Sequence, residues 1–341
     1  MAKSSEKIET LTRIGLLGSE TLLGRELQEV LSVRQKGVRI TSFASSGDGS
    51  FGEQEGEAVF LEPLNADAVR GSKAIVVAGS AEGASKAYEL AKAAGRRPKI
   101  IDCTGHLEHH PEARIIAPLL GEVSAKADWL LVPAHPASSA VALVLRRLVR
   151  YQPVIRSVVN VFEPASERGK AALAELHQQT ASLLAFKLLP KKIFDAQLSF
   201  NLLAQYGEDA AVPLASIEQR IERHIATTFA KDKDTVPPMP SLRLIQAPVF
   251  HGYGISLWVE FASNITSAAV AEALASAQIE VRGPSEEAPD GVGATGQSGL
   301  IAGDIRVDPN NPRAAWLWAV CDNLRLTADA TSDLLMADAS K

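Results

Sequence analysis

From Thr12 the chain reads R-I-G-L-L-G, an apolar run closed by glycine, and continues as T-L-L-G-R-E-L-Q-E-V-L with apolar residues at helical spacing. A strand that stops on glycine and turns straight into a helix opens a βαβ unit, and a βαβ unit requires a parallel sheet. Four further apolar runs follow. V-R-I-T-S-F-A leads into the loop S-S-G-D-G-S-F-G, and K-A-I-V-V-A-G-S leads into A-S-K-A-Y-E-L-A-K-A-A-G, a helix closed by Gly95. P-K-I-I-D-C-T-G and A-D-W-L-L-V-P-A complete the set. Runs so nearly continuous in Val, Ile and Leu are strands buried on both faces, which predicts an α/β fold with an N-terminal Rossmann-type doubly wound parallel sheet.

After residue 150 the pattern changes. V-I-R-S-V-V-N-V-F-E-P, K-I-F-D-A-Q-L-S-F-N-L-L and S-L-R-L-I-Q-A-P-V-F-H-G-Y-G-I-S-L-W-V-E-F are longer and partly alternating, as in an antiparallel sheet with one face covered. They predict a second domain of α+β type. A Gly-, Ser-, Glu- and Pro-rich stretch between Arg282 and Gly303 reads as a surface loop, and A-A-W-L-W-A-V-C-D-N-L-R-L-T-A-D-A-T-S-D-L-L as a strand running into a final helix. The expected boundaries are 1–133 for the Rossmann-type domain, joined by the last helix from about residue 320 to 341, and 134–319 for the second.

Composition narrows the partners. Lysine and arginine number 35 against 40 acids, a net charge of -5, with no basic run to neutralise a string of phosphates, so no nucleic-acid partner is expected. M-A-K-S-S-E-K-I-E-T has no apolar signal core, no uninterrupted apolar stretch reaches the roughly 20 residues of a membrane span, and Cys103 and Cys321 have no paired spacing. The expectation is a cytoplasmic protein with no membrane partner and no metal site. His106, Glu108, His109 and His110 cluster in G-H-L-E-H-H-P, but their spacing matches no standard ligand set and a solvated loop is the better reading. Trp316 and Trp318 alternate as core or interface residues, and Arg147 and Arg150 read as solvated helix residues.

Gly15, Gly18 and Gly24 stand between the first strand and helix, where backbone amides can hold a cofactor phosphate, although the same spacing suits any tight strand-to-helix crossing. The second strand ends in Ser45, Ser46 and Asp48, with no arginine to pair a 2′-phosphate and with an acid to repel one. NAD is therefore favoured over NADP, and a unit that binds neither remains open.

Taken in order, R-I-G-L-L-G, F-A-S-S, A-G-S-A-E-G-A-S-K, I-I-D-C-T-G, H-P-A-S-S-A-V-A-L, A-P-V-F-H-G-Y-G, I-R-V-D and D-N-L-R resemble aspartate-semialdehyde dehydrogenase over nearly the whole chain. The resemblance is nearest to the Usg-type branch of that family, which shares F-N-L-L and A-P-V-F and lacks the catalytic cysteine. It implies a Rossmann domain, an α+β domain for catalysis and homodimerisation, a last helix packed on the first domain, and reductive dephosphorylation of β-aspartyl phosphate with NADPH. It also implies cofactor-side positions at Gly15, Gly18, Ser19, Glu20, Thr21, Leu22, Ser45, Gly79 and Asn323.

That chemistry uses a thiolate, a histidine, an arginine for the substrate carboxylate and a glutamine near the thiol. Matched motif by motif, the chain departs at each. P-A-S-S puts Ser138 at the cysteine, and Q-A-P-V-F-H-G-Y-G puts Gln246 at the arginine and Tyr253 at the histidine. Glu163 falls at the glutamine, Glu108 near a phosphate-side arginine, Cys103 at an asparagine and Thr21 at the last glycine of the turn.

A helix N-terminus can bring a thiol, which titrates near ~8.5, down to a thiolate at neutral pH, but it cannot ionise a serine hydroxyl. Ser138 then reads as a helix N-cap worth about 1 kcal/mol. His251 and His135 are the two candidates for an acid or base: His251 shares a side with Tyr253 if that stretch is extended, although a plain strand-end histidine is the better reading, and His135 should face along its loop. The expectation is a ligand-binding or regulatory homodimer, its small-molecule ligand unnamed. The alternative is an active NAD(P)-dependent semialdehyde dehydrogenase of aspartate-family amino-acid biosynthesis.

Overall fold

A computed structural model describes residues 12–35, 37–46, 48–54, 57–95, 97–124, 127–232 and 235–336, so the N-terminal decapeptide read above lies outside the described residues. The chain forms two compact units, one of residues 1–114, 124–132 and 331–341 and one of residues 115–123 and 133–330.

The first unit is wound from β1 (Thr12–Leu17), α1 (Leu22–Arg34), β2 (Val38–Phe43), β3 (Ser50–Gln54), β4 (Glu57–Leu61), α2 (Ala66–Arg70), β5 (Ala74–Val77), α3 (Ala81–Ala93), β6 (Lys99–Asp102), β7 (Ala113–Ile116) and β8 (Leu130–Pro133). The main sheet runs β2-β1-β5-β6-β8-β7, with parallel pairing from β2 through β8. Every residue of β5 and of β8 is buried, as unbroken apolar runs demand of central strands. Ser50 to Gly52, read as the end of a loop, instead belong to β3, which pairs with β4 in an antiparallel hairpin.

The second unit holds α4 (Pro136–Tyr151), β9 (Val154–Glu163), α5 (Gly169–Leu184), α6 (Leu214–Phe229), β10 (Ser241–Gln246), β11 (Tyr253–Phe261), α7 (Ser267–Leu274), β12 (Ile279–Val281), α8 (Gly291–Ala294), β13 (Leu300–Asp308), β14 (Asn311–Cys321) and the start of α9 (Asn323–Met336). Its sheet runs β10-β9-β11-β14-β13-β12 and is mixed, since β10 and β12 pair parallel to their neighbours. One face carries Val159, Val161, Ile255, Leu257, Leu317 and Ala319 into a single core with α4 and α6. The other face leaves Val158 and Trp316 exposed.

The segment 192–203 corrects the strand expected at K-I-F-D-A-Q-L-S-F-N-L-L. Its backbone amides are taken by side chains of α5: Glu175 accepts from Lys192 and Ile193, and Gln179 accepts from Leu198 and Ser199. Asp195 and Phe200 stand at φ 46° and 57°, which no strand tolerates. The long run through A-P-V-F-H-G-Y likewise breaks into β10 and β11 around Gly252 at φ 82°.

The unit borders have side-chain causes. Glu122 sits with the second unit because Arg146 (3.5 Å) and Lys231 (2.6 Å) hold it. The end of α9 sits with the first because Asp333 meets Arg34 at 3.3 Å and Ser332 accepts from Gln35. Arg147, read as solvated, donates to the Ala273 and Ala275 carbonyls at the C-terminal end of α7. Among the described residues no helix is long and apolar enough to cross a membrane.

Candidate functional site

In the second unit β9 ends on Glu163, β10 on Gln246 and β14 on Cys321, while β11 begins at Tyr253, and the register puts all four at one end of the sheet. Ser138 lies on α4 and is 1% exposed. It is not the helix cap. Pro136 takes the first helical position, His135 is the cap residue without a side-chain cap bond, and Ser138 falls in the first turn. Its Oγ donates instead to the Ile221 carbonyl of α6 at 3.0 Å, a buried inter-helix bond worth about 1 kcal/mol. The hydroxyl proton is thus committed to a carbonyl, which is no base.

Gln246, which the resemblance above sets at the arginine position, is equally committed. Nε2 donates to the Glu163 carbonyl (2.7 Å) and the Ala247 carbonyl (3.2 Å), and Oε1 accepts from the Tyr206 hydroxyl at 2.6 Å. Glu163, fully buried, is held by Arg168, whose Nε and Nη2 both reach Oε1, at 3.1 and 2.8 Å. Burial pushes the Glu163 carboxyl up, against the opposing pull of Arg168.

His135 is buried, contrary to the loop orientation expected for it. Its Nε2 lies 4.0 Å from Glu167 Oε2, its ring 6.2 Å from that of Tyr253, and its backbone amide donates to His224 Nδ1 at 2.9 Å. Burial, then the charge of Arg220, holds the His135 imidazole well below its ordinary range, so it is neutral at pH 7. Burial likewise raises Tyr253 well above an ordinary phenol.

His135 Nδ1, Tyr253 Oη and Glu163 Oε2 are each buried and make no hydrogen bond to protein. Three such atoms on neighbouring side chains of one buried cluster are the kind of deficit that a bound polar molecule relieves.

His251 does not share a strand with Tyr253: β11 starts at Tyr253, and Gly252 in the left-handed region turns the chain between them. Asn323 is fully buried and spent within this unit, with Oδ1 accepting from Ser166 Oγ and the Gly252 amide and Nδ2 donating to Glu167. Cys321 is no displaced nucleophile, because burial raises its thiol and Asp322 adds to the rise. Glu167, Arg168, Tyr206 and His224 escaped the sequence reading, and His135 was named there but placed along its loop. For Arg168 a signal existed, since a carboxylate closing a buried strand needs a nearby counter-charge.

In the first unit Gly18 has φ 80° and a Cβ there would lie 2.5 Å from Gly79 Cα, while a Cβ on Gly24 would lie 1.9 Å from the Gly18 carbonyl. A Cβ on Gly15 would meet Ile75 at 2.6 Å. Close backbone approach accounts for Gly18 and Gly24 without a phosphate, and packing against the Ile75 and Phe43 side chains accounts for Gly15. Thr21 caps α1, its Oγ1 accepting the Gly24 amide at 2.9 Å. Amides of Leu22 and Leu23 begin that helix, and Ser19 is buried beside them. Glu20 Oε1 accepts the Ser45 amide at the end of β2, at 3.1 Å. Asp48 is paired with Lys86 at 2.5 Å, so its charge is answered from α3.

In the H-L-E-H-H loop His106 meets Ser85 at 3.2 Å and His110 meets Tyr88 at 2.8 Å, while Glu108 lies 3.6 Å from His109. Among the described residues no group of three or more His, Cys, Asp and Glu is placed to hold a metal ion.

Residues 145–326 match the family model described as semialdehyde dehydrogenase, dimerisation domain. A USG-1 protein homolog of Pseudomonas aeruginosa is 31% identical over 262 residues, 76% of either chain. A solved structure of a probable aspartate-semialdehyde dehydrogenase from Pseudomonas aeruginosa is similar at TM-score 0.79 and 27% identity, covering 95% of this chain and 98% of that one. Aspartate semialdehyde dehydrogenase with NADP from Candida albicans shares the fold at TM-score 0.65 and 12% identity, over 96% and 98% of the two chains.

Proposed function

The chain belongs to the semialdehyde dehydrogenase family, and from that footing we propose that it is a ligand-binding or regulatory member that has left the family's thiol chemistry. The observation that carries this is the state of the site. Ser138 Oγ is spent on the Ile221 carbonyl, and Gln246 is spent on Glu163, Ala247 and Tyr206. Neither is available to attack a carbonyl or to hold a carboxylate. Tyr253, raised far above neutrality, takes no proton at pH 7. What the site keeps is three unsatisfied buried polar atoms, which favour retention of a small polar ligand over a purely structural core.

Restoring the nucleophile alone does not restore the reaction under this reading. Purified Ser138→Cys, assayed with aspartate semialdehyde, phosphate and NAD or NADP, is expected to stay within background. Robust turnover by that single variant would refute it.

The first unit is read as a nicotinamide-dinucleotide unit without resident redox chemistry. The amides of Leu22 and Leu23 would face the phosphates at the start of α1. NAD over NADP is retained, but Asp48 no longer supports it because Lys86 answers its charge.

The protein is further read as a homodimer built through the open face of the second sheet. Val158, Trp258 and Trp316 stand in register across β9, β11 and β14, with Val158 and Trp316 each 40% exposed. The domain type matched by this region agrees with that use. Trp316→Glu is expected to weaken dimerisation by about 100-fold, because it removes a central aromatic and buries a charge. Sedimentation equilibrium of both proteins tests this, and an unchanged dimer would contradict it.

A further inference from the structure

The end of β2, where dinucleotide folds put the acid that reads the adenosine ribose, carries such an acid from an unexpected quarter. Glu20 belongs to the turn before α1, and its side chain crosses to the second strand, where Oε1 accepts the Ser45 amide at 3.1 Å. The candidate supplied by the second strand itself, Asp48, is engaged with Lys86.

Ser45 is fixed by its other neighbours as well. A Cβ on Gly79 would lie 2.6 Å from Ser45 Cα and one on Gly83 2.1 Å from its carbonyl, and the Ser80 amide and Oγ both donate to that carbonyl at 3.1 Å. Backbone packed so closely fixes the Ser45 amide, and with it the Glu20 carboxylate, at the end of β2. We propose that Glu20 is the cofactor-discriminating residue of this unit. Its carboxylate accepts from the 2′-hydroxyl of an adenosine ribose and repels a 2′-phosphate.

This rests on the reading of the first unit as a dinucleotide unit, and it replaces Asp48 as the source of the preference. Only binding is involved, and no bond to the nucleotide forms.

The test is calorimetric titration of the full chain and of Glu20→Gln with ADP and with its 2′-phosphorylated counterpart, backed by NADH and NADPH fluorescence. Glutamine keeps an oxygen for the Ser45 amide while removing the charge. The wild type is expected to prefer ADP and NADH by at least about tenfold, the scale of a like-charge contact, and Glu20→Gln to bring the two forms within about threefold of each other. Equal wild-type affinities, or a preference unchanged in Glu20→Gln, would overturn the assignment. Binding that appears in Glu20→Gln and is absent from the wild type would also overturn it, by making the carboxylate a plug. If neither folded protein binds any of the four nucleotides, the dinucleotide reading itself fails and takes this assignment with it.

Discussion

Replacing Arg168 by alanine is expected to lower the unfolding free energy by about 3–5 kcal/mol at neutral pH, the cost of stranding one partner of a buried ion pair. Glu163 has no exposure and Arg168 only 19% of its side chain, so water cannot substitute for the lost charge. The loss depends on pH in a defined direction. Burial raises the carboxyl of Glu163 in the folded state, and removing Arg168 takes away the main opposing pull.

A group whose folded pKa is raised contributes stability below its unfolded pKa and loses it as pH rises through the folded value. Wild type and Arg168→Ala therefore lose stability in parallel from the ordinary carboxylate range up to about 7, where Glu163 titrates beside Arg168, and the deficit of the variant grows as pH rises above that value, where only the variant must keep the carboxyl protonated. Urea unfolding at several pH values measures it. The double variant Arg168→Ala, Glu163→Gln should recover part of the loss at pH 7, because it leaves no charge to neutralise. A flat deficit across pH would mean that the two side chains do not form the pair described.

Gly24→Ala is the second large effect. Alanine is the better helix former by about 1 kcal/mol, so propensity alone would make the change stabilising. Against that, its Cβ would sit 1.9 Å from the Gly18 carbonyl, a backbone atom held by the turn. The helix must move off the strand, and a net loss of about 3 kcal/mol is expected. Gly95→Ala, where no atom lies within 4 Å of the added methyl, should change stability by less than about 0.5 kcal/mol. Thermal unfolding of both variants decides whether the glycine spacing reflects packing. A tolerated Gly24→Ala would return those glycines to a role in ligand binding alone.

The parallel sheet was legible because buried central strands cannot be polar, and unbroken runs such as K-A-I-V-V announce them. Segment 192–203 was not legible, since its apolar residues alternate like a strand while its amides are claimed by Glu175 and Gln179 from a helix some twenty residues earlier. Hydrogen bonds over that separation leave no local pattern.

Ser138 was half legible. Proline favours the first helical position, which makes His135 the cap and moves Ser138 inside the helix, and that rule is local. Its acceptor, the Ile221 carbonyl 83 residues on, is not. The substitutions at Ser138, Gln246 and Tyr253 were visible as departures from a motif. Their consequences were not, because they depend on partners such as Tyr206 and Arg168 that only the folded chain brings to them. Alternation likewise misplaced His251, since it assumes an unbroken strand and Gly252 breaks it.

The central claim is that the site holds a ligand without running the family reaction through residue 138. Its most direct test is the reduction of NAD or NADP by the purified wild type with aspartate semialdehyde and phosphate, run beside Ser138→Ala. No turnover above background is expected from either protein. Clear wild-type turnover that Ser138→Ala abolishes would contradict it.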